Sequence, residues 1–317
     1  MTVCVVARCT ENNSFVLAGD RLFSYGNQYS YDSISLKRIG LTPDSRWHTM
    51  FAASPVSNVL PTIRSARRIL NGGGTRPPYG LDTVERACVQ AYQEQRRRLV
   101  NDTILSKYGI DLETYRRDGL NFGVQECARI NSEIDQLRVG VELIVFGYDE
   151  WNVAHLLKVQ GPGASMCCDQ DGIAVAGSGA PLAHSSLLSD PLPVASQAEM
   201  ICRLCEAKFS AEQDRYVGKD TAAGVFNHPA SVTEGTSERF ISIPAMSAIR
   251  QANSLGQNRP YPRALLDGIM NELKSAITSE NIGEAIRLAK RIIDRRRRNR
   301  ESAVRPPRGE GPPKEGQ

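Results

Sequence analysis

The first twenty residues constrain the fold most. VCVVARC (3–9) and SFVLAGD (14–20) are two β-branched, apolar runs, and ENNS between them carries the small polar residues of a tight turn. Two antiparallel strands therefore begin the chain. In such a hairpin the numbers of facing residues sum to about 23 to 25, depending on where the turn centres. At one limit Asp20 faces Val3 and lies beside the chain start; at the other it faces Val5, roughly 10 Å further along the strand. The spacing places a carboxylate near Thr2 and leaves the contact open.

Further along, RLFSYGNQYSYDSISLKRI alternates in the manner of one or two strands, and HTMFAAS reads as a buried strand leading into a helix over 56–71. Asp82, with Glu85 three residues on, predicts a capping box for the next helix, and 100–137 reads as mostly helical with a break near YGIDLETY. VELIVFGYDE, AHLLKVQG and the strand within DGIAVAGSGA predict a second sheet. Ser196 and Glu199 cap a helix to about Glu212, and TAAGVFN and RFISI supply closing strands. Strands, helices, strands and helices in that order give an α+β chain and not the regular alternation of a doubly wound sheet.

Composition bears on function mainly by exclusion. A chain of 317 residues with 41% hydrophobic content can bury a full core. The start shows neither a signal peptide nor a membrane span, and a soluble, cytoplasmic protein is expected. Eight scattered cysteines read as reduced core thiols; Cys202 and Cys205 form a C-x-x-C inside a helical pattern, a poor zinc site even with Cys167 and Cys168 nearby. The glycines of NGGGTRPPYG lack the lysine and hydroxyl of a phosphate loop. The net charge of +4 belongs to the end of the chain: residues 285–317 hold eleven Lys/Arg and four Asp/Glu, which leaves the remainder near −3. RRRRNR and the Pro- and Gly-rich residues after it read as a solvated, disordered tail, not a nucleic-acid reader.

Thr2 is the residue with chemical interest. A threonine hydroxyl needs a base, and a free α-amino group, with its reference pKa of about 7.7 to 8.0, can serve as one. Aminopeptidases remove an initiator methionine ahead of a small residue, which would give Thr2 both nucleophile and base. A nearby ammonium lowers the pKa of that amine and a carboxylate orients the ammonium.

MTVCVV, VLAGDR, FGYDE, AVAGSG and AEQDRYVGK, in that order over most of residues 2–227, resemble the β-subunit type of proteasome-like N-terminal nucleophile hydrolases. The opening Met-Thr-x-Cys-Val is similar to the bacterial proteasome-related group called Anbu. The resemblance implies a four-layer αββα sandwich of two antiparallel sheets flanked by helices, and self-assembly into a ring or open spiral. It implies that Thr2 is the nucleophile, Asp20 the strand-end aspartate and Lys37 the catalytic lysine, with Arg38 as the neighbouring alternative. Ser178 matches the serine that supports the terminal amine, and Asp214 the aspartate of a later helix end. The backbone N–H of Ala53 or Ser54 stands where the family forms its oxyanion hole. Val217 departs from the pattern, replacing a second supporting serine.

These residues predict a threonine-type peptidase or amidohydrolase acting on a peptide or protein, with no metal or nucleotide cofactor and with any ATPase partner undetermined. The competing expectation is a catalytically silent subunit serving as a scaffold or binding ring. Expected boundaries are a hydrolase domain over 1–245, a helical extension over 246–294 and a basic tail over 295–317. PYPRALLDGIMNELKSAI forms the first helix of that extension, and a second, capped by Ser279, buries Ile282, Ile286 and Ile293.

Overall fold

A computed structural model describes residues 2–20, 22–25, 29–32, 37–72, 74, 76–188, 196–228, 238–254 and 261–274. The expectations for the second extension helix and for the tail lie outside the described residues.

The hairpin forms as strands β1 (Val3–Cys9) and β2 (Ser14–Asp20). β1 is flanked by β10 (Ile173–Gly177) and β2 by β11 (Thr221–Phe226), which pairs with β12 (Glu238–Phe240), giving an antiparallel sheet in the order β10-β1-β2-β11-β12. The second sheet joins β5 (Arg38–Gly40), β6 (Trp47–Ala53), β7 (Val141–Tyr148), β8 (Ala154–Gln160) and β9 (Ala164–Cys167) in sequence order. Between β2 and β5, β3 (Leu22–Tyr25) and β4 (Tyr29–Asp32) form a separate small ribbon.

Alternation along β1 explains the layers, because successive side chains leave opposite faces of a strand. Val3, Val5 and Ala7 join an apolar cluster with helices α5 (Ala180–Leu188) and α6 (Gln197–Ala211). Cys4 and Val6 instead meet Met50, Ile144 and Phe146 of the other sheet. The outer face of that sheet, through Phe51, Leu143 and Val145, packs on α1 (Val59–Gly72) and α2 (Leu81–Thr103). The result is the expected αββα sandwich. The central strands β1, β2, β6, β7 and β11 are buried on both faces, which is why the sequence reads there as near-continuous apolar runs.

Two local expectations change. The strand at 173–177 pairs with β1 and not with the second sheet: Val3 faces Gly177 and Ala7 faces Ile173. A strand buried on both sides carries no face signal, so its partner cannot be read from alternation. α2 begins at Leu81 after Gly80 without a side-chain cap, and Glu85 instead accepts a hydrogen bond from the Ser165 hydroxyl. The expected break near YGIDLETY falls at Gly109, whose φ of 68° ends a short turn, and the helical stretch resumes as α3 (Leu112–Asp118) and α4 (Val124–Gln136). Asp111 caps α3 by accepting from Thr114 N at 2.8 Å.

Residues 1–274 form one compact unit. It includes α7 (Ile243–Ser254) and α8 (Arg263–Lys274), which place Met246, Ile249, Ile269 and Leu273 in the cluster beneath α6. Cys202 and Cys205 lie in that cluster, with Cys205 Sγ 3.8 Å from Met246 Sδ. Among the described residues no group of three or more His, Cys, Asp or Glu is placed to hold a metal, and no helix is long and apolar enough to cross a membrane.

Candidate active site

Cys4 faces Gly19, so the hairpin takes the register that carries Asp20 to the level of Val3. The tight turn decides this: Glu11–Asn13 form one 3-10 turn, and Asn13 adopts a φ of 44° that reverses the chain at once. Asp20 Oδ1 accepts from Val3 N at 3.3 Å and from the Thr2 hydroxyl. Lys37 donates from Nζ to Asp20 Oδ1 at 3.1 Å and to Thr2 Oγ1 at 2.5 Å. The backbone of Lys37 is fixed independently, because its carbonyl accepts from Phe51 N of β6 at 3.1 Å. One sheet thus supplies the hydroxyl and the carboxylate, and the other supplies the cation.

All three side chains are buried: Thr2 is 2%, Asp20 0% and Lys37 4% exposed. Burial raises the Asp20 carboxyl above its ordinary value; Lys37, the Gly218 N–H and Lys208 oppose that rise. Gly218 N reaches Asp20 Oδ2 at 3.1 Å. Arg38, the alternative cation, is spent elsewhere: its guanidinium pairs with Glu238 and meets His48 Nδ1.

Thr2 opens into a cavity of about 530 Å³, whose walls include Ala53, Ser54, Tyr92, Glu142 and Ser178. Ser178 follows β10, and its Oγ is buried with no hydrogen-bond partner among the described residues. Gly177 beside it has a φ of 101°, and a Cβ there would lie 2.0 Å from Thr2 O, so only glycine lets β10 come this close. Ser54 N is already committed to Gly140 O at 2.7 Å.

Asp214 is placed one step back. Its Oδ1 accepts from Tyr216 N at 3.0 Å and its carbonyl from Val217 N at 2.9 Å. These bonds fold the turn that presents Gly218 N to Asp20, and none of the described hydrogen bonds joins Asp214 to Thr2. Val217 is 5% exposed and joins the α5/α6 cluster, so the position of the family's second serine is occupied by core packing.

Sequence reasoning overlooked Glu142, whose Oε2 accepts from Gly177 N and from Lys158 Nζ, each at 3.1 Å. It also overlooked Lys208, fully buried behind Asp20. A signal existed for the lysine: it stands three and four residues after Cys205 and Leu204, on the apolar face of α6 where a charge needs a partner.

The sandwich defines the chain's class: it has the fold of the proteasome-type N-terminal nucleophile hydrolases. Among solved structures it is similar to the Anbu (Gly-1) mutant from Hyphomicrobium sp. strain MC1, with a TM-score of 0.55 and 13% identity over 83% of this chain and 100% of that one. It is also similar to Anbu, an ancestral beta-subunit, from Yersinia bercovieri, with a TM-score of 0.54 and 14% identity over 83% of this chain and 100% of that one. Eukaryotic HslV from Trypanosoma brucei aligns with a TM-score of 0.45 and 15% identity over 72% of this chain and 100% of that one. No protein-family model matches the chain, and no curated protein matches it.

Proposed function

We propose that the chain is a threonine-type hydrolase of peptide or amide bonds, working in the cytoplasm as a self-assembled ring or spiral, with Thr2 exposed by removal of Met1. The observation that carries this reading is the Thr2 hydroxyl held between the Asp20 carboxylate and the Lys37 ammonium at the edge of an open cavity.

In this reading the freed amine of Thr2 takes the hydroxyl proton as Oγ1 attacks the substrate carbonyl. Collapse of the tetrahedral adduct breaks the C–N bond, the amine returns its proton to the leaving nitrogen, and an ester to Thr2 remains. Water, deprotonated by the same amine, hydrolyses that ester and restores the hydroxyl. Lys37 keeps positive charge beside the hydroxyl, favouring its ionised form, and Asp20 orients Lys37. Ser178 offers its unpartnered hydroxyl to the amine, and Asp214 acts by shaping the turn at Gly218. Of the two oxyanion donors Ala53 is the better candidate: Ser54 N is engaged, and alternation directs the Ala53 N–H to the opposite edge of β6.

Intact-mass measurement of the purified protein, followed by labelling with a threonine-directed electrophile and turnover of fluorogenic peptides, tests this. Loss of Met1, labelling at Thr2 and loss of both activities in Thr2→Ala are expected. A retained Met1, or undiminished labelling and turnover in Thr2→Ala, overturns the assignment and leaves a scaffold subunit of the same fold.

A further inference from the structure

Asp20 is approached from two sides. Along β2 it follows Val16 and Ala18, which face the α5/α6 layer, and on that side stands Lys208 of α6. Lys208 is 0% exposed; its Nζ donates to Gly218 O at 2.6 Å and to Glu212 Oε1 at 2.5 Å. The same residue, Gly218, donates its N–H to Asp20 Oδ2 at 3.1 Å. One residue therefore bridges a buried cation and a buried carboxylate, its carbonyl turned to Lys208 and its N–H to Asp20. Glu212 is in turn clamped by Arg250 of α7 through two bonds of 2.8 Å, and Arg250 also reaches Lys219 O at 2.7 Å and lies over the Phe209 ring.

We infer that Lys208 is a positioning residue for Asp20, acting through Gly218, whose carbonyl it holds and whose N–H meets the carboxylate, and that the Glu212–Arg250 pair sets how strongly it acts; this rests on the hydrolase reading for its catalytic consequence. Arg250 lies beyond the stretch over which the chain's motifs resemble the proteasome family, so the helices after β12 contribute to the electrostatics of the site as well as to packing.

The charges account for the arrangement. Among the described residues, Lys37 faces Asp20 from the strand side and Lys208 adds a second cation from behind; the nearby Cys4 thiol is pushed up to about 12 by burial and stays neutral. Lys208 itself faces Asp20, Glu212 and Arg250. Burial pulls its ammonium below the ordinary lysine value, and Glu212 opposes that pull. Burial pushes the Glu212 carboxyl up, but hydrogen bonds from Arg250 and Lys208 hold it below its ordinary value. Removing the Lys208 charge leaves Asp20 with less to stabilise its anion. Removing the Glu212 charge leaves two cations unopposed and has the reverse effect.

The test is a titration of the full chain labelled with carbon-13 at the aspartate carboxyl, with the Asp20 signal assigned by its loss in Asp20→Asn. Lys208→Met is expected to raise the Asp20 midpoint by more than about 0.5 pH unit, Arg250→Met to raise it less, and Glu212→Gln to lower it. An unmoved midpoint in Lys208→Met, or shifts of the same sign in Lys208→Met and Glu212→Gln, overturns the inference. If Lys208→Met does not fold, the opposite signs of Arg250→Met and Glu212→Gln decide the matter, since Arg250 is 40% exposed and its loss leaves the core intact. The titration needs no turnover, so an inactive parent protein would sink the hydrolase reading and leave this one standing. In an active protein the acid limb of kcat/KM moves with the same three signs.

Discussion

The Lys37 ammonium nitrogen lies 3.1 Å from Asp20 Oδ1, with the lysine side chain 4% exposed and the aspartate 0%. Two charges taken so far out of water are held by each other, and the pair adds little net stability while either member alone is costly. Its value is local: it fixes a cation against the Thr2 hydroxyl.

Breaking that pair from either side should therefore have non-additive consequences. Lys37→Met is expected to cost about 3–5 kcal/mol in urea unfolding, and the double variant with Asp20→Asn less than Lys37→Met alone. On the hydrolase reading each single change lowers kcat/KM by at least about 100-fold, and the double variant is no slower than the worse single. Additive losses in both measurements would show two independent residues.

His48 should govern stability in acid. It is 3% exposed, stacked near Phe146 and edge-on to Phe226, and burial, reinforced by Arg38, lowers its pKa to about 4. Unfolding frees it to bind a proton near its ordinary value of 6.5, so the unfolded state holds more protons between the two values. Its contribution is complete above about 6.5 and is lost as the pH falls towards 4, up to about 3 kcal/mol. Denaturant midpoints from pH 4 to 7 should fall less steeply with acid in His48→Gln; an unchanged slope would refute the assignment.

Two glycines with positive φ separate conformational strain from collision. Gly172 has a φ of 66° and its nearest obstacle is Arg8 Cβ at 3.9 Å, whereas at Gly177 a Cβ meets Thr2 O at 2.0 Å. Gly172→Ala is expected to cost about 1 kcal/mol, and Gly177→Ala at least about 2 kcal/mol with displacement of Thr2. Thermal unfolding measures the costs, and reaction of Thr2 with an electrophilic probe reports the displacement.

Phe15 tests the core between the sheets apart from the site. Its ring lies 5.3 Å from that of Phe146 and 5.4 Å from that of Tyr148, at the end of β2 away from Asp20. Phe15→Ala is expected to lower stability by about 3–5 kcal/mol while kcat per folded molecule stays at the parent value. A matching loss of kcat would mean that the two ends of the sandwich are coupled.

The sequence alone settles the local structure and the chemical candidates. β-branched runs around ENNS make the hairpin, Ser196 caps its helix by accepting from Glu199 N at 3.2 Å, and a small hydroxyl residue, an aspartate and a lysine announce the chemistry. These features depend on neighbours along the chain, which a sequence displays directly. Only the tertiary structure decides that Lys37 and not Arg38 reaches Asp20, that β10 leaves the second sheet to lie against β1, and that Ser54 spends its N–H on Gly140. The same holds for Lys208, whose carbonyl partner comes from the turn at Gly218, and for Glu212, which is paired by Arg250 from a helix some forty residues later. Strands buried on both faces and charges buried in pairs find their partners across the fold, and no periodicity along the chain encodes which partner that is.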